Sequence, residues 1–399
     1  MPFSIDPTTL PSPSRCPPQE ELPEPFETFD GETVGSPEKW AERRRELQQL
    51  FQHYVYGYTP PAPDIVTDVE RTTNVLGGQA DLTEVTIEFA DLQEAAPAIT
   101  LALFTPAGTD SDSVPVVLAL NRFGNHTVVE DEDVSIPPAA REHGSDERGT
   151  GQEGWRIDRV LDRGYGFATF HSADIDPDRN GFTDGIHPHY DPPGPPGTEW
   201  GTLAAWAWGL QRCVDYLRTD DRVRADEIAV TGHSRAGKAA LFAGATDDRI
   251  GLVAPHQSGT GGCVPARDNG QETVADITGS FPHWFADTFS AFAGQVDRLP
   301  VDQHLLVSLV APRPLIDTAG ARDYWSNPGR SLDSLRAADP VYELLGVDGV
   351  IGDGILYGDE EITDANTGRL LQFRRETAHT LHGAYWDAIL DFADLHFES

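Results

Sequence analysis

The segment 228–244, IAVTGHSRAGKAALFAG, constrains the fold more than any other part of this 399-residue chain. A short run of β-branched and small apolar residues leads into Gly232-His233-Ser234-Arg235-Ala236-Gly237, and a helical stretch of small residues follows. A serine raised on a sharp strand-to-helix turn is the nucleophile elbow of α/β-hydrolases. Strand and helix backbones nearly touch there, so the flanking positions must be small. Gly232 and the Ala236-Gly237 pair meet that need, although the usual fifth-position glycine comes one residue late. The turn predicts an α/β-hydrolase fold: a mostly parallel central sheet with helices on both faces.

The rest of the chain agrees with that prediction. Residues 1–36 are rich in Pro and acid and read as an arm, wrapped on the body or partly disordered. Residues 37–399 read as one domain with loop insertions. The spacing of Trp40, Leu47, Leu50, Phe51 and Tyr54 predicts a helix over 37–56. Alternating segments at 64–71, 82–90 and 97–105 predict antiparallel strands at the N-terminal edge of the sheet. The apolar run 114–120 predicts a strand covered on both faces. Beyond it, predicted strands at 165–170, 227–232, 250–255, 314–318 and 370–374 alternate with predicted helices at 153–163, 200–219, 235–245, 302–310, 331–345 and 383–397. That is the order of βαβ units. The insertions 122–150, 171–199, 259–300 and 347–367 are expected at one end of the sheet, where such folds keep their sites.

Hydrolases of this fold supply their groups in the chain order serine, acid, histidine. His379 falls in the loop between the strand 370–374 and the last helix, the expected place of a general base. His382, at the helix entry, is the second choice. His396, inside the helix near Phe392 and Phe397, reads as a packing or surface residue. For the acid, Asp323 lies in the loop after RPLIDTAG and Asp317 lies within that strand; a loop position aims more surely at the site. Asp176-Pro177-Asp178-Arg179-Asn180-Gly181 imitates the opening of a calcium loop, but its twelfth position is His187 where a bidentate Glu is needed. It reads as a turn-rich loop near the site mouth. His187 and His189 lack carboxylates at zinc-like spacing and read as loop residues. No metal or cofactor is expected.

Composition narrows the partners. The chain has 65 Asp+Glu against 29 Lys+Arg, a formal net charge of −36. Such a balance argues against nucleic acid and against anionic membranes, since phosphate binding needs clustered Lys and Arg. With 39% apolar residues and 8 Trp, 10 Tyr and 18 Phe, it is not a disordered acidic chain either. Only two of the basic residues are lysines, Lys39 and Lys238, and there is one Met. Acid excess with near-total replacement of Lys by Arg reads as adaptation to high salt, where screening relieves the self-repulsion of a carboxylate-rich surface. Cys16, Cys213 and Cys263 are odd in number and lack metal-ligand spacing, so no disulfide framework is expected. The opening residues have neither a basic nor an apolar leader region, and the chain reads as soluble and cytoplasmic. Its oligomeric state is not set by any sequence feature.

The elbow written Gly232 to Lys238 resembles the G-x-S-R-x-G-K elbow of the glucuronoyl esterases, in particular their bacterial-type members. Phe123-Gly124-Asn125-His126-Thr127, Trp200-Gly201-Thr202-Leu203-Ala204-Ala205-Trp206, Phe281-Pro282-His283-Trp284-Phe285 and Leu299-Pro300-Val301-Asp302-Gln303-His304 resemble other segments of that family. The resemblance covers roughly residues 110–397. It implies a serine esterase acting on small-molecule or oligosaccharide esters of glucuronic acid, with Ser234 as nucleophile and His379 as base. Many family members carry a Glu just before a Ser-Gly-x-Gly-Gly run. Here the run is Ser258-Gly259-Thr260-Gly261-Gly262 and the preceding residue is Gln257, which cannot hold a negative charge. The family's other acid position, Asp-x-Trp, is present as Asp323-Tyr324-Trp325, so the resemblance favours Asp323. It also implies that Arg235 faces the oxyanion and that Lys238, Glu272 and Trp325 hold the uronate sugar. One of the two lysines in the chain stands four residues after the serine, and a compact ammonium is not interchangeable with a planar fork. A sugar O-acetyl esterase or general carboxylesterase, and a non-catalytic carbohydrate-binding relative, are the competing expectations.

Overall fold

A computed structural model describes residues 5–92, 96–108, 113–143, 146–191 and 193–397. Its strands are β1 (Ile65–Val75), β2 (Ala80–Phe89), β3 (Ile99–Pro106), β4 (Val114–Asn121), β5 (Gly166–His171), β6 (Val223–His233), β7 (Leu252–His256), β8 (Leu315–Gly320), β9 (Ile355–Tyr357) and β10 (Leu370–Arg375). They form one sheet in the order β1-β2-β3-β5-β4-β6-β7-β8-β10-β9. Pairing is antiparallel from β1 through β3 and between β3 and β5, and parallel from β5 onward. The antiparallel edge at the N-terminal side and the parallel body are those expected of an α/β-hydrolase.

Period-two alternation explains why both faces are covered. In β4, Val116, Leu118 and Leu120 join one core while Val117 and Ala119 join the other. The first core gathers the helices Thr202–Leu217, Arg235–Thr246 and Pro328–Leu344; the second gathers Trp155, Ile157 and the C-terminal helix Trp386–His396. Each fully buried Leu, Ile or Val contributes roughly 1.5–3 kcal/mol relative to exposure. Parallel register then brings the strand ends level: Leu120 lies opposite Gly232, His233 opposite His256, and His256 opposite Thr318. Everything that follows those ends in the chain meets at one rim.

The N-terminal arm lies against the body over its described residues. Leu10, Cys16 and Val34 are buried, Gln19 N–H donates to Asp297 O (2.7 Å), and His304 Nε2 donates to Pro23 O (2.7 Å). The first long helix, Pro37–Phe51, starts with Ser36 accepting from the Lys39 amide, as an N-cap should, and leaves the Lys39 side chain exposed. All three cysteines are buried and free.

Several expected boundaries move. The helix expected over 153–163 is two, Gln152–Trp155 and Ile157–Asp162, separated by Arg156 in the left-handed region (φ 44°, ψ 49°). The break lets Trp155 and Ile157 both turn into the second core, where Trp386 Nε1 donates to Gly154 O (2.8 Å). The expected helix 302–310 is only Gln303–Ser308, and that over 331–345 begins earlier, at Pro328, where a proline in the first turn forfeits no hydrogen bond. The expected start at 383 is a 3-10 turn, Gly383–Tyr385, before the helix proper. The three-residue β9 was not expected at all. No helix among the described residues is long and apolar enough to cross a membrane.

Candidate active site

Ser234 sits at the end of β6 with φ 59° and ψ −121°, outside the regions a serine ordinarily adopts. Close packing holds it there. A Cβ added to Gly232 would lie 2.5 Å from Ala236 O, and one added to Gly237 would lie 2.8 Å from Gly232 O. The glycine displaced to position 237 thus serves the same turn. Ser234 N–H donates to His256 O (2.8 Å), which ties the elbow to the neighbouring strand.

His379, in the loop after β10, places Nε2 2.9 Å from Ser234 Oγ and Nδ1 2.7 Å from Asp323 Oδ2. A carboxylate only accepts, so Nδ1 carries the proton and Nε2 accepts from the serine hydroxyl. Asp323 is buried after β8 and also accepts from Ser326 N–H (3.3 Å) and the Ser326 hydroxyl. Burial pushes its carboxyl upward, but the bonds from His379 and Ser326 outweigh that and hold it below the ordinary range. The alternatives lie elsewhere. Asp317 is sealed within β8 against Ser331 Oγ (2.7 Å) and Gln372 Nε2 (2.8 Å); His382 accepts from Ala384 N–H (3.1 Å); His396 donates to Gly368 O (3.0 Å).

Gln257, at the lost acid position, has different work. Its Oε1 accepts from His233 Nε2–H (3.0 Å) and Thr380 N–H (2.8 Å), and its Nε2 donates to Ala378 O (2.9 Å). One carboxamide therefore grips the chain on both sides of His379. His256 Nε2 adds a bond to Thr380 O (3.1 Å). The rings of His233 and His379 lie 4.8 Å apart, and burial keeps His233 and His256 neutral, the latter pushed down to about 4.

On the other side of the serine, Arg235 opens the elbow helix, so its amide is one of the first-turn donors without an intrahelical acceptor. Its guanidinium lies over Trp284 (4.5 Å) and Phe281 (5.0 Å) and donates to Asp178. Lys238 is buried one turn on; its Nζ donates to Thr260 O (2.6 Å) and to Glu272 Oε1 and Oε2 (3.2 and 3.1 Å). Burial draws the ammonium pKa down, and the Glu272 charge opposes it. Trp325, two residues after Asp323, is half exposed. The structure thus joins Ser234, His379 and Asp323 by hydrogen bonds, sets Arg235 directly after the serine at the start of the elbow helix, and pairs Lys238 with Glu272.

Sequence reasoning missed Asp178, whose Oδ1 accepts from His283 Nε2 (3.0 Å) and Trp284 Nε1 (2.8 Å). Its companion Asp176 is fully buried, bonded to Thr202 Oγ1 (2.6 Å) with His187 Nε2 at 3.3 Å. One oxygen of Asp176 and both oxygens of Asp178 thus accept from protein donors, and no group of three or more His, Cys, Asp or Glu among the described residues is placed to hold a metal ion. His187, read as a plain loop residue, does have a carboxylate neighbour, and it packs against Trp200 (5.0 Å).

A serine on a strand-to-helix turn, joined through a histidine to a carboxylate at the level ends of a parallel sheet, is the arrangement of an α/β-hydrolase. The comparisons narrow this. Residues 151–346 match the family model described as glucuronyl esterase, fungi. A carbohydrate esterase of an unknown prokaryotic organism is 37% identical over 95% of this chain and 90% of its own length. A 4-O-methyl-glucuronoyl methylesterase of Phanerochaete carnosa is 30% identical over 82% of this chain and 73% of its own. Among solved structures, a glucuronoyl esterase from Solibacter usitatus superposes with a TM-score of 0.87 at 32% identity, covering 96% of this chain and 100% of that one. The chain belongs to the glucuronoyl esterase family, whose members are carboxylic ester hydrolases.

Proposed function

We propose that this protein hydrolyses esters of glucuronic acid by two-step acyl transfer. His379 takes the proton of Ser234, whose oxygen attacks the ester carbonyl. The tetrahedral oxyanion is met by preorganised donors around Arg235. The imidazolium then protonates the leaving alcohol, and water repeats the sequence on the acyl-enzyme to release the acid. Asp323 fixes the tautomer of His379 and stabilises its charged form. Lys238 and Glu272 are assigned to the sugar hydroxyls and Trp325 to the sugar face at the rim.

The reading is carried by the unbroken chain Ser234 Oγ, His379, Asp323 at 2.9 and 2.7 Å. The same chain speaks against a purely sugar-binding relative, which has no use for it. The test is a pair of substrates, a glucuronate methyl ester and an acetylated sugar, given to the wild type and to Ser234→Ala. Wild-type turnover of the uronate ester alone, abolished in Ser234→Ala with folding intact, is the expected result. Preference for the acetyl ester would move the assignment to a sugar O-acetyl esterase, and full activity of the variant would end it.

A further inference from the structure

The motif around residue 178 is unused by the reaction as written, yet it touches Arg235. Asp178 sits in the insertion 171–199, and two of its donors, His283 and Trp284, come from the insertion 259–300. Three contacts close a ring: Arg235 lies on the Trp284 ring at 4.5 Å, the Trp284 indole N–H donates to Asp178 Oδ1 at 2.8 Å, and Asp178 Oδ2 accepts from Arg235 Nη1. Phe281 backs the platform, stacked on Trp284 at 3.8 Å and 4°. His283 Nε2 bonds the same carboxylate oxygen as the indole, and Arg122 Nη2 stands 3.7 Å from the other.

The guanidinium is thereby fixed in plane, in rotation and in reach. A second observation concerns a donor that the ring leaves unused. Arg235 Nε is buried and has no hydrogen-bond partner among the described residues. A buried N–H without an acceptor is rare in a folded protein. Stabilisation of an oxyanion depends on donors already in place when charge develops, so a long flexible arginine contributes fully only if something else holds it. We propose that Asp178 is the positioning residue that holds the Arg235 guanidinium for the oxyanion, a role that rests on the esterase reading above. The ring is also electrically suited to this. The carboxylate charge is taken up by Arg235, Arg122 and three hydrogen bonds, and those bonds with the Arg235 charge overcome burial and keep it ionised well below the usual carboxylate range.

A double-mutant cycle separates the inference from the reading beneath it. Asp178→Ala and Arg235→Ala, singly and together, are assayed for kcat and KM on the methyl ester of glucuronate. Arg235→Ala is expected to lower kcat on the order of 10²–10³-fold, the usual loss of an oxyanion donor. Asp178→Ala is expected to lower kcat about 10–100-fold with little change in KM, and the double variant to be no more than about threefold slower than Arg235→Ala, because coupled residues do not add. Formate, small enough for the space left by the missing carboxylate, is expected to restore kcat in Asp178→Ala and not in the double variant. If Asp178→Ala does not fold, the isosteric Asp178→Asn takes its place; its amide turns N–H toward Arg235, so the same loss without formate rescue is expected. Multiplicative losses in the double variant, or a single variant at position 178 with unchanged or raised kcat, would overturn the proposal. Full activity of Arg235→Ala would overturn it too, and would at the same time remove Arg235 from the mechanism while leaving Ser234 untouched.

Discussion

Replacing Asp323 by Asn asks whether the carboxylate is needed for its charge. Asn can keep an oxygen where Oδ2 now accepts from His379 Nδ1 and the Ser326 hydroxyl, at the cost of turning its N–H toward Ser326 N–H, now 3.3 Å from Oδ1. Shape and the two bonds at the Oδ2 position then survive, and what chiefly disappears is the negative charge facing the imidazolium of the transition state. With the two charge centres about 4 Å apart and an effective dielectric near 20, that interaction is worth about 4 kcal/mol. A loss of that size slows turnover on the order of 10³-fold. If the amide turns the other way, His379 is forced into the tautomer that cannot accept from Ser234, and the loss approaches about 10⁴-fold. Initial rates on a glucuronate methyl ester, with thermal melting as the folding control, decide the matter. Asp323→Asn within tenfold of wild type would refute the argument and return the search to another carboxylate. Gln257 offers no reserve, since it carries no charge.

Three further outcomes are expected. Gln257→Leu should lower kcat more than it raises KM, because it frees both peptide contacts that hold His379 and leaves substrate groups untouched; an unchanged kcat would show that the loop needs no grip. Asp174 is buried, its carboxyl pushed up to about 8 by desolvation against one bond from Thr100 N–H. The folded state therefore holds a proton the unfolded chain releases near pH 4, and stability falls as pH rises between those values. Asp174→Asn should flatten that fall, so its melting advantage over wild type should be larger at pH 8 than at pH 4; an equal difference at both would contradict the assignment. Finally, a chain of net charge −36 should melt at higher temperature in molar salt than in dilute buffer; identical melting would remove the reading of salt adaptation.

The elbow and the parallel strands were legible because their causes are local. Small residues, β-branched runs and a period of two mark them in a few consecutive letters. His379 and Asp323 were legible through chain order and loop position. What stayed hidden depends on partners far along the chain. The break at Arg156 falls on a residue that is neither Gly nor Pro, and it lets Trp155 and Ile157 reach the same core. Gln257 read as a vacated acid position, and only the fold shows Ala378 and Thr380 on either side of it. Asp178 read as part of a failed calcium loop until His283 and Trp284, about a hundred residues later, were brought to it. Those two lie in a segment whose family resemblance was visible, so a signal existed without a geometry to interpret it.

The unusual lysine usage has a practical side. Of the two side-chain amines, Lys39 is exposed on the first turn of its helix and Lys238 is sealed in an ion pair one helical turn from Ser234. Besides the α-amine, amine-directed supports and dyes will find a single side-chain anchor on the native molecule. Labelling of Lys238 itself, located by peptide mapping, would then report the opening of the elbow helix, a built-in gauge of when the rim around Ser234 comes apart.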